Sequence, residues 1–112
     1  MTQLPAPIAA YLDAANRFDP AAVAHCFTFD AVVRDEGAQY RGPEAIAAWA
    51  SRTIARYRPR AEARAIDGAD GHYRLSALVA GDFPGSPATL AYRFTLRGDR
   101  VAALEIALEI AP

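Results

Sequence analysis

The stretch from Phe29 to Gly42, FDAVVRDEGAQYRG, decides the fold, because a short strand, two carboxylates and a glycine-containing loop follow one another in it. Its two consecutive valines predict a strand over Ala31 to Arg34. Asp35 and Glu36 stand where the strand gives way to the loop, a place from which a side chain can reach into a cleft. Because adjacent strand residues point to opposite faces, at most one of these carboxylates is expected to face inward. Two solvated loop charges are the alternative interpretation.

The composition indicates one apolar, nearly neutral domain. The 112 residues are 53% apolar and carry a net charge of −1. A single domain over residues 1–112 is therefore expected, with neither nucleic acid nor an acidic membrane as partner. All twelve basic residues are arginine, which excludes Schiff-base chemistry on a lysine. Cys26 stands alone, which excludes an intrachain disulfide. Without a signal-peptide pattern or a membrane-spanning run, a cytoplasmic protein is expected.

Three segments have the apolar spacing of helices. The first begins near Pro7, and the second begins at Asp19, an expected N-cap that Pro20 follows in the first helical position. The third begins after Gly42 and ends at Arg58, which precedes a proline. The stripes predicted to face the core are Ile8, Tyr11, Leu12 and Ala15; Val23, Cys26 and Phe27; and Ile46, Trp49, Ala50, Thr53 and Tyr57.

After the third helix the apolar spacing changes to the period of two that is typical of strands. One strand is predicted over Arg60 to Ile66 and another over His72 to Asp82, with a turn at Asp67 to Gly71 between them. Turns at Phe83 to Pro87 and at Gly98–Asp99 bound two further strands. The residues expected to face the core are Tyr73, Leu75, Ala77 and Val79; Leu90, Tyr92, Phe94 and Leu96; and Leu104, Ile106, Leu108 and Ile110.

The element order α-α-β-α-β-β-β-β predicts an α+β fold, in which a curved and mainly antiparallel sheet wraps around three N-terminal helices. The other sheet face carries Arg93 and Arg97 on one strand and Glu105 and Glu109 on the next, among threonine and alanine. Arg–Glu contacts between these strands are expected. Such a face is either solvated or the interface of a homodimer, and we predict the homodimer.

Two tracts carry a family resemblance. AYLDAANRFDPAAVAHCFTFDAVVRDE, residues 10–36, and YRGPEAIAAW, residues 40–49, resemble the NTF2-like superfamily in its SnoaL-like and ketosteroid-isomerase-like branch. The resemblance extends over nearly the whole chain. It implies a conical fold with a deep apolar pocket between sheet and helices, which takes an apolar small molecule, and it implies a homodimer.

The resemblance also implies site residues. Ketosteroid isomerases use a carboxylate as base, and a tyrosine and a neutral carboxylic acid that bind the enolate oxygen. Tyr11 matches the tyrosine and Asp35 matches the base. Where the isomerase has its acid, this chain has Tyr92, which faces inward and carries a hydrogen-bond donor; Asp82, at a strand end, is the other candidate. The aromatic residues expected to line the pocket are Trp49, Tyr57, Phe83 and Phe94.

Two functions remain open. The first is an isomerase-like or cyclase-like enzyme that transfers a proton on a steroid-like, polyketide-like or terpenoid carbonyl compound, with Asp35 as base and Tyr11 as oxyanion donor. The second is a non-catalytic module of the same fold that binds a ligand or a partner. His25 and His72 are too few for a metal site. The chain also has no phosphate-binding or dinucleotide-binding glycine motif, so neither metal nor cofactor is expected.

Overall fold

The structure, a computed structural model, describes residues 3–109. None of the helices in this part of the chain is long and apolar enough to cross a membrane. The helices are α1 (Ala6–Asn16), α2 (Pro20–His25) and α3 (Pro43–Tyr57), and the strands are β1 (Phe27–Asp35), β2 (Ala38–Arg41), β3 (Arg60–Ala69), β4 (His72–Ala80), β5 (Ala88–Arg97) and β6 (Arg100–Leu108).

The strands form one sheet in the order β2-β1-β6-β5-β4-β3. Neighbouring strands run antiparallel, except β1 and β6, which run parallel. The last strand thereby returns to the middle of the sheet, beside β1, which ends at Asp35. The helices bury the apolar face of the sheet. The α+β architecture predicted from the element order is confirmed.

The helices begin where the sequence signals them. Asp19 caps α2, because its carboxylate accepts a hydrogen bond from the Ala22 amide at 3.1 Å, and Pro20 is the first helical residue. Gly42, directly before α3, has a φ of +87°, which favours glycine. The predicted stripe residues that are buried are Ile8, Tyr11 and Leu12 of α1, Val23 of α2, and Ile46, Trp49 and Ala50 of α3.

The core lies between the helices and the sheet. Of the inward positions predicted for the later strands, Leu75, Ala77, Val79, Tyr92, Phe94 and Leu104 are buried. Tyr73, Leu90, Leu96 and Ile106 are partly buried and pack against this core. Leu108 differs, with 63% of its surface exposed, because it is the last residue of β6, at the end of the sheet. Ile110 lies outside the described residues.

The region around the two carboxylates contains more strand than the sequence predicted. Residues 38–41 form β2 rather than a loop, because a two-residue turn after Asp35 returns the chain alongside β1, with Val33 opposite Tyr40. Phe27, expected on the second helix, is instead the first residue of β1, where it pairs with β6. The element order thus gains one strand within the same fold class.

The β3–β4 hairpin is also longer than predicted. β3 extends to Ala69, so that only two residues of the turn expected at 67–71 remain outside the strands, and β4 ends at Ala80. Glycine makes the extension possible: Gly68 has a φ of +127°, and a Cβ there would lie 2.1 Å from the His72 carbonyl oxygen. Composition alone does not indicate such a close approach of two backbones.

The sheet face away from the helices carries the expected charges, but their partners differ. Arg93 and Glu105 lie directly opposite each other in the β5–β6 register. Arg97 and Glu109 instead form ion pairs with side chains on β1 and β4. Those ion pairs are Arg74–Glu109, at 2.8 Å, and Arg97–Asp30.

Candidate active site

A cavity of about 680 Å³ lies between the sheet and the helices α1 and α3. Its size and its mainly apolar lining are typical of a small-molecule site. Its polar lining side chains are Asn16, Asp35, Glu36 and Thr53, besides the tyrosine hydroxyls. The larger apolar and aromatic ones are Tyr11, Leu12, Val23, Trp49, Ile54, Tyr57, Val79, Phe83, Leu90, Tyr92, Ile106 and Leu108.

Asp35 and Tyr92 occupy one row across the sheet. Asp35 is the last residue of β1 and pairs with Ile106 of β6, which in turn pairs with Tyr92 of β5. Two strand spacings separate their Cα atoms by roughly 10 Å. Paired residues share a sheet face, so both side chains point towards the helices and line the cavity.

The Asp35 carboxylate is held in place by Trp49. The indole Nε1 of Trp49 donates a hydrogen bond to Asp35 Oδ2 at 3.0 Å. Burial raises the pKa of Asp35, the neighbouring Glu36 charge raises it further, and the indole hydrogen bond opposes both. The result is a fixed carboxylate with increased basicity, which suits a general base.

Tyr11 and Tyr92 bring two phenols to the same cavity. Their side chains are 4% and 6% exposed, and their ring centroids lie 6.4 Å apart. Among the described residues neither hydroxyl has a hydrogen-bond partner. Neither hydroxyl oxygen is fully buried, because no fully buried side-chain oxygen in this part of the chain lacks a partner. Both hydroxyls therefore have access to the cavity. Burial raises the pKa of both tyrosines, and the Asp35 charge raises each pKa further, so both phenols remain protonated donors.

Glu36 lines the cavity beside Asp35, against the expectation that only one of the pair faces inward. That expectation assumed an extended strand, whereas Glu36 lies in the two-residue β1–β2 turn with a φ of +52°. Its carboxylate accepts a hydrogen bond from the Tyr57 hydroxyl at 3.0 Å, and this bond raises the pKa of Tyr57. Glu36 is exposed, so it belongs to the mouth of the cavity, whereas Asp35 lies deeper.

The position of Trp49 depends on β2, the strand that the sequence did not reveal. Tyr40 of β2 stacks on the indole, with ring centroids 6.2 Å apart and an interplanar angle of 30°. Arg52 then covers Tyr40, its guanidinium carbon lying 5.4 Å from the ring centroid. A stack of three side chains thus fixes the group that holds Asp35.

The remaining residues expected at the site have different positions. Trp49, Tyr57 and Phe83 line the cavity, whereas Phe94 does not. Phe94 is 2% exposed and stacks against Tyr92 at an interplanar angle of 9°, so it supports the wall from within the core.

Asp82 lies outside the cavity. It is exposed, it is not part of the lining, and its amide donates a hydrogen bond to the Tyr57 carbonyl oxygen at 2.7 Å. Of the two candidates for the missing isomerase acid, Tyr92 is therefore the one with access to the site.

Asn16 is a site residue that the sequence did not indicate. Its side chain accepts a hydrogen bond from the Ala61 amide at 2.8 Å and donates one to the Ala61 carbonyl at 3.0 Å. It thereby joins the end of α1 to the edge strand β3 and forms part of the cavity wall. Only the contact with β3, 45 positions away in the chain, distinguishes it from any asparagine at a helix end.

The described residues contain no group of three or more His, Cys, Asp or Glu side chains that could hold a metal ion. His25 and His72 are both exposed and lie on separate elements, α2 and β4.

The helices, the sheet and the cavity define an NTF2-like, ketosteroid-isomerase-like fold. A structure with that fold from Catenulispora acidiphila, determined in complex with trimethylamine, superimposes with a TM-score of 0.86 at 23% identity, over 96% of this chain and 88% of the other. TerC, co-crystallised with polyporic acid, gives a TM-score of 0.80 at 10% identity, over 92% and 88% of the two chains. At these identities the likeness shows the fold alone.

Within that fold, the chain belongs to the SnoaL-like family. The SnoaL-like domain model matches residues 8–104. A candidate polyketide cyclase from Sinorhizobium meliloti is similar at 38% identity, over 93% of this chain and 95% of the other, with a TM-score of 0.88. No curated protein matches the chain.

Proposed function

We propose that the protein is an enzyme that transfers a proton at a carbon next to the carbonyl group of an apolar small molecule, with Asp35 as the base. One observation carries the proposal: a fixed carboxylate of raised pKa lines the same cavity as two phenols that have no hydrogen-bond partner in the described part of the chain. A carbon acid requires both a base for its proton and donors for the enolate oxygen that forms.

The proposed reaction has two steps. Asp35 takes the proton from the carbon next to the carbonyl, and the electron pair of that C–H bond moves to the carbonyl oxygen, which becomes an enolate. In an isomerisation, protonated Asp35 then returns the proton to another carbon of the enolate. In a cyclisation, the enolate carbon instead attacks a second carbonyl carbon of the substrate, the π electron pair of that C=O bond moves to its oxygen, and this oxygen takes the proton from Asp35. Both outcomes share the first step and the same base.

Tyr11 is proposed to donate a hydrogen bond to the enolate oxygen, and Tyr92 is proposed to replace the carboxylic acid of the isomerases as second donor. Their raised pKa values keep both hydroxyls protonated at neutral pH. Two donors with no competing partner among the described residues need no rearrangement when charge develops on the oxygen, which is the basis of oxyanion stabilisation.

The relative at 38% identity supports a carbonyl substrate. That protein is a candidate polyketide cyclase, and cyclisation of a polyketide begins with the loss of a proton next to a carbonyl group. The lining of aromatic and aliphatic side chains supports an apolar ring system as the body of the substrate.

We also propose that the protein is a homodimer through the outer sheet face. Support comes from small residues and charges of both signs: Arg93 lies opposite Glu105, and Ala91 lies opposite Ala107. Small side chains let two sheets approach each other, and paired charges of opposite sign let the same face meet a copy of itself.

Exchange of the ketone α-proton in D₂O, followed by NMR with neutral cyclic ketones such as 1-tetralone and 2-decalone, tests the role of the phenols. Tyr11→Phe is expected to slow enzyme-catalysed exchange about 10²-fold, because it removes one oxyanion donor and retains the ring. Tyr92→Phe is expected to do the same. Wild-type rates in both variants would contradict the proposed oxyanion site.

A further inference from the structure

The charge of the cavity lining is entirely negative. Asp35 and Glu36 are its only ionised side chains, and among the described residues no arginine or histidine lines it. This is notable because the chain has twelve arginines. Three of them lie over rings outside the lining, and Arg56, which lies over the lining residue Tyr57, is not itself part of the lining. A carboxylate or phosphate ligand would enter this cavity against two like charges and without a cation to pair with.

The groups around Asp35 suit a cation. Tyr11, Trp49 and Tyr92 line the cavity on α1, α3 and β5, and aromatic rings attract organic ammonium ions through their negative faces. The two phenol oxygens have no hydrogen-bond partner among residues 3–109, and both side chains are more than nine-tenths buried. Each phenol oxygen is a hydrogen-bond acceptor for an ammonium N–H.

Asp35 itself lacks a cationic partner. Its carboxylate accepts the indole N–H of Trp49, and no ion pair to Asp35 occurs among the described residues. With no cation to offset it, burial raises the pKa of Asp35. An ammonium ion in the cavity would instead stabilise the ionised carboxylate. A ligand can therefore supply the opposite charge that the chain does not provide.

We propose that the cavity selects its ligands by charge, and binds hydrophobic ammonium ions in preference to neutral and anionic molecules of the same shape. The ammonium group lies between Asp35 and the rings of Tyr11, Trp49 and Tyr92, and the apolar body fills the remaining space. The inference rests on the proposed function in using the same cavity as the ligand site, and it adds the charge class of the ligand.

Three adamantane derivatives of one shape test the proposal by titration calorimetry at pH 7. 1-Adamantylamine is the cation, 1-adamantanol the neutral form and 1-adamantanecarboxylate the anion. The amine is expected to bind at least about tenfold more tightly than the alcohol, and the carboxylate more weakly than both. Equal affinities, tighter binding of the carboxylate, or no binding of the amine would overturn the proposal.

Two variants locate the effect. Asp35→Asn is expected to remove the preference for the amine over the alcohol, and a cooperative thermal unfolding transition shows that the variant is folded. Asp99→Asn removes the same charge from the exposed β5–β6 turn and is expected to keep the preference. Loss of the preference in Asp99→Asn, or its retention in Asp35→Asn, would show that Asp35 is not the cause.

Failure of the charge selectivity and failure of the proposed enzyme activity give different results. Amine binding without α-proton exchange in any ketone would contradict the enzyme and leave the charge selectivity intact. Exchange in neutral ketones without preferential amine binding would contradict only the charge selectivity.

Discussion

Replacement of Trp49 by phenylalanine tests how the site holds its carboxylate. The change removes the 3.0 Å hydrogen bond from the indole to Asp35 and shortens a side chain that is 5% exposed. A hydrogen bond to a charged group contributes about 2 kcal/mol, and the void left by the smaller ring costs about 1 kcal/mol more. We therefore expect the free energy of unfolding to fall by about 3 kcal/mol, or the Tm by about 12 °C for a domain of this size.

A double-mutant cycle with Asp35→Asn isolates the hydrogen bond from the packing. Asparagine keeps the shape and a neutral acceptor, so the cycle is expected to give a coupling of roughly 1 kcal/mol between residues 35 and 49 at pH 7 in urea denaturation. The bond favours the ionised carboxylate and lowers the pKa of Asp35, so the coupling should disappear as the pH falls through that pKa. A coupling near zero at pH 7, or one that does not change in acid, would refute the reasoning.

The pKa of Asp35 is nevertheless raised, because burial raises it more than the hydrogen bond from the Trp49 indole lowers it. A raised carboxylate pKa means that the folded state holds the proton more tightly than the unfolded state. Wild-type protein should therefore gain stability relative to Asp35→Asn as the pH falls through the folded-state pKa, and be the less stable of the two at neutral pH. The same denaturation series measures this difference.

Two further substitutions test the attachment of α1 to β3 and the proposed dimer. Asn16→Ala removes both hydrogen bonds to Ala61 and should lower the free energy of unfolding by about 2 kcal/mol; a change below about 0.5 kcal/mol would contradict a structural role. Glu105→Arg places an arginine directly between Arg34 and Arg93 on the proposed dimer face and should shift the protein to monomer in light scattering, whereas Asp99→Arg in the exposed turn should not. A monomeric wild type at micromolar concentration would refute the dimer.

Local signals in the sequence were sufficient for much of the fold. Asp19 followed by Pro20 marks a helix start by its own hydrogen bond, and apolar spacing identified the buried faces of α1 and α3. β2 escaped detection because it has only four residues, AQYR, and none of them is β-branched. They are a strand only because β1 lies beside them, and pairing of that kind depends on tertiary structure rather than on local preference.

For the site as for the fold, local patterns predicted some residues correctly, whereas features that depend on tertiary contacts were missed. The inward position of Tyr92 came from strand alternation, and that of Tyr11 from the helical stripe. The turn conformation of Glu36 contradicted the alternation rule, because a residue of positive φ no longer points as a strand residue does. The hydrogen bond from the Trp49 indole to Asp35 joins side chains 14 positions apart. Its geometry depends on Tyr40 of β2, a strand that was not predicted from the sequence.

Exchange of the α-proton of neutral cyclic ketones in D₂O, measured by NMR for wild type, Asp35→Asn and Glu36→Gln, tests the central claim most directly. Asn and Gln keep the size of each side chain and remove its basic oxygen. We expect exchange in wild type, a loss of at least about 10²-fold in Asp35→Asn, and a nearly unchanged rate in Glu36→Gln, because Glu36 lies at the mouth of the cavity. Full activity in Asp35→Asn, with or without loss in Glu36→Gln, would show that Asp35 is not the base.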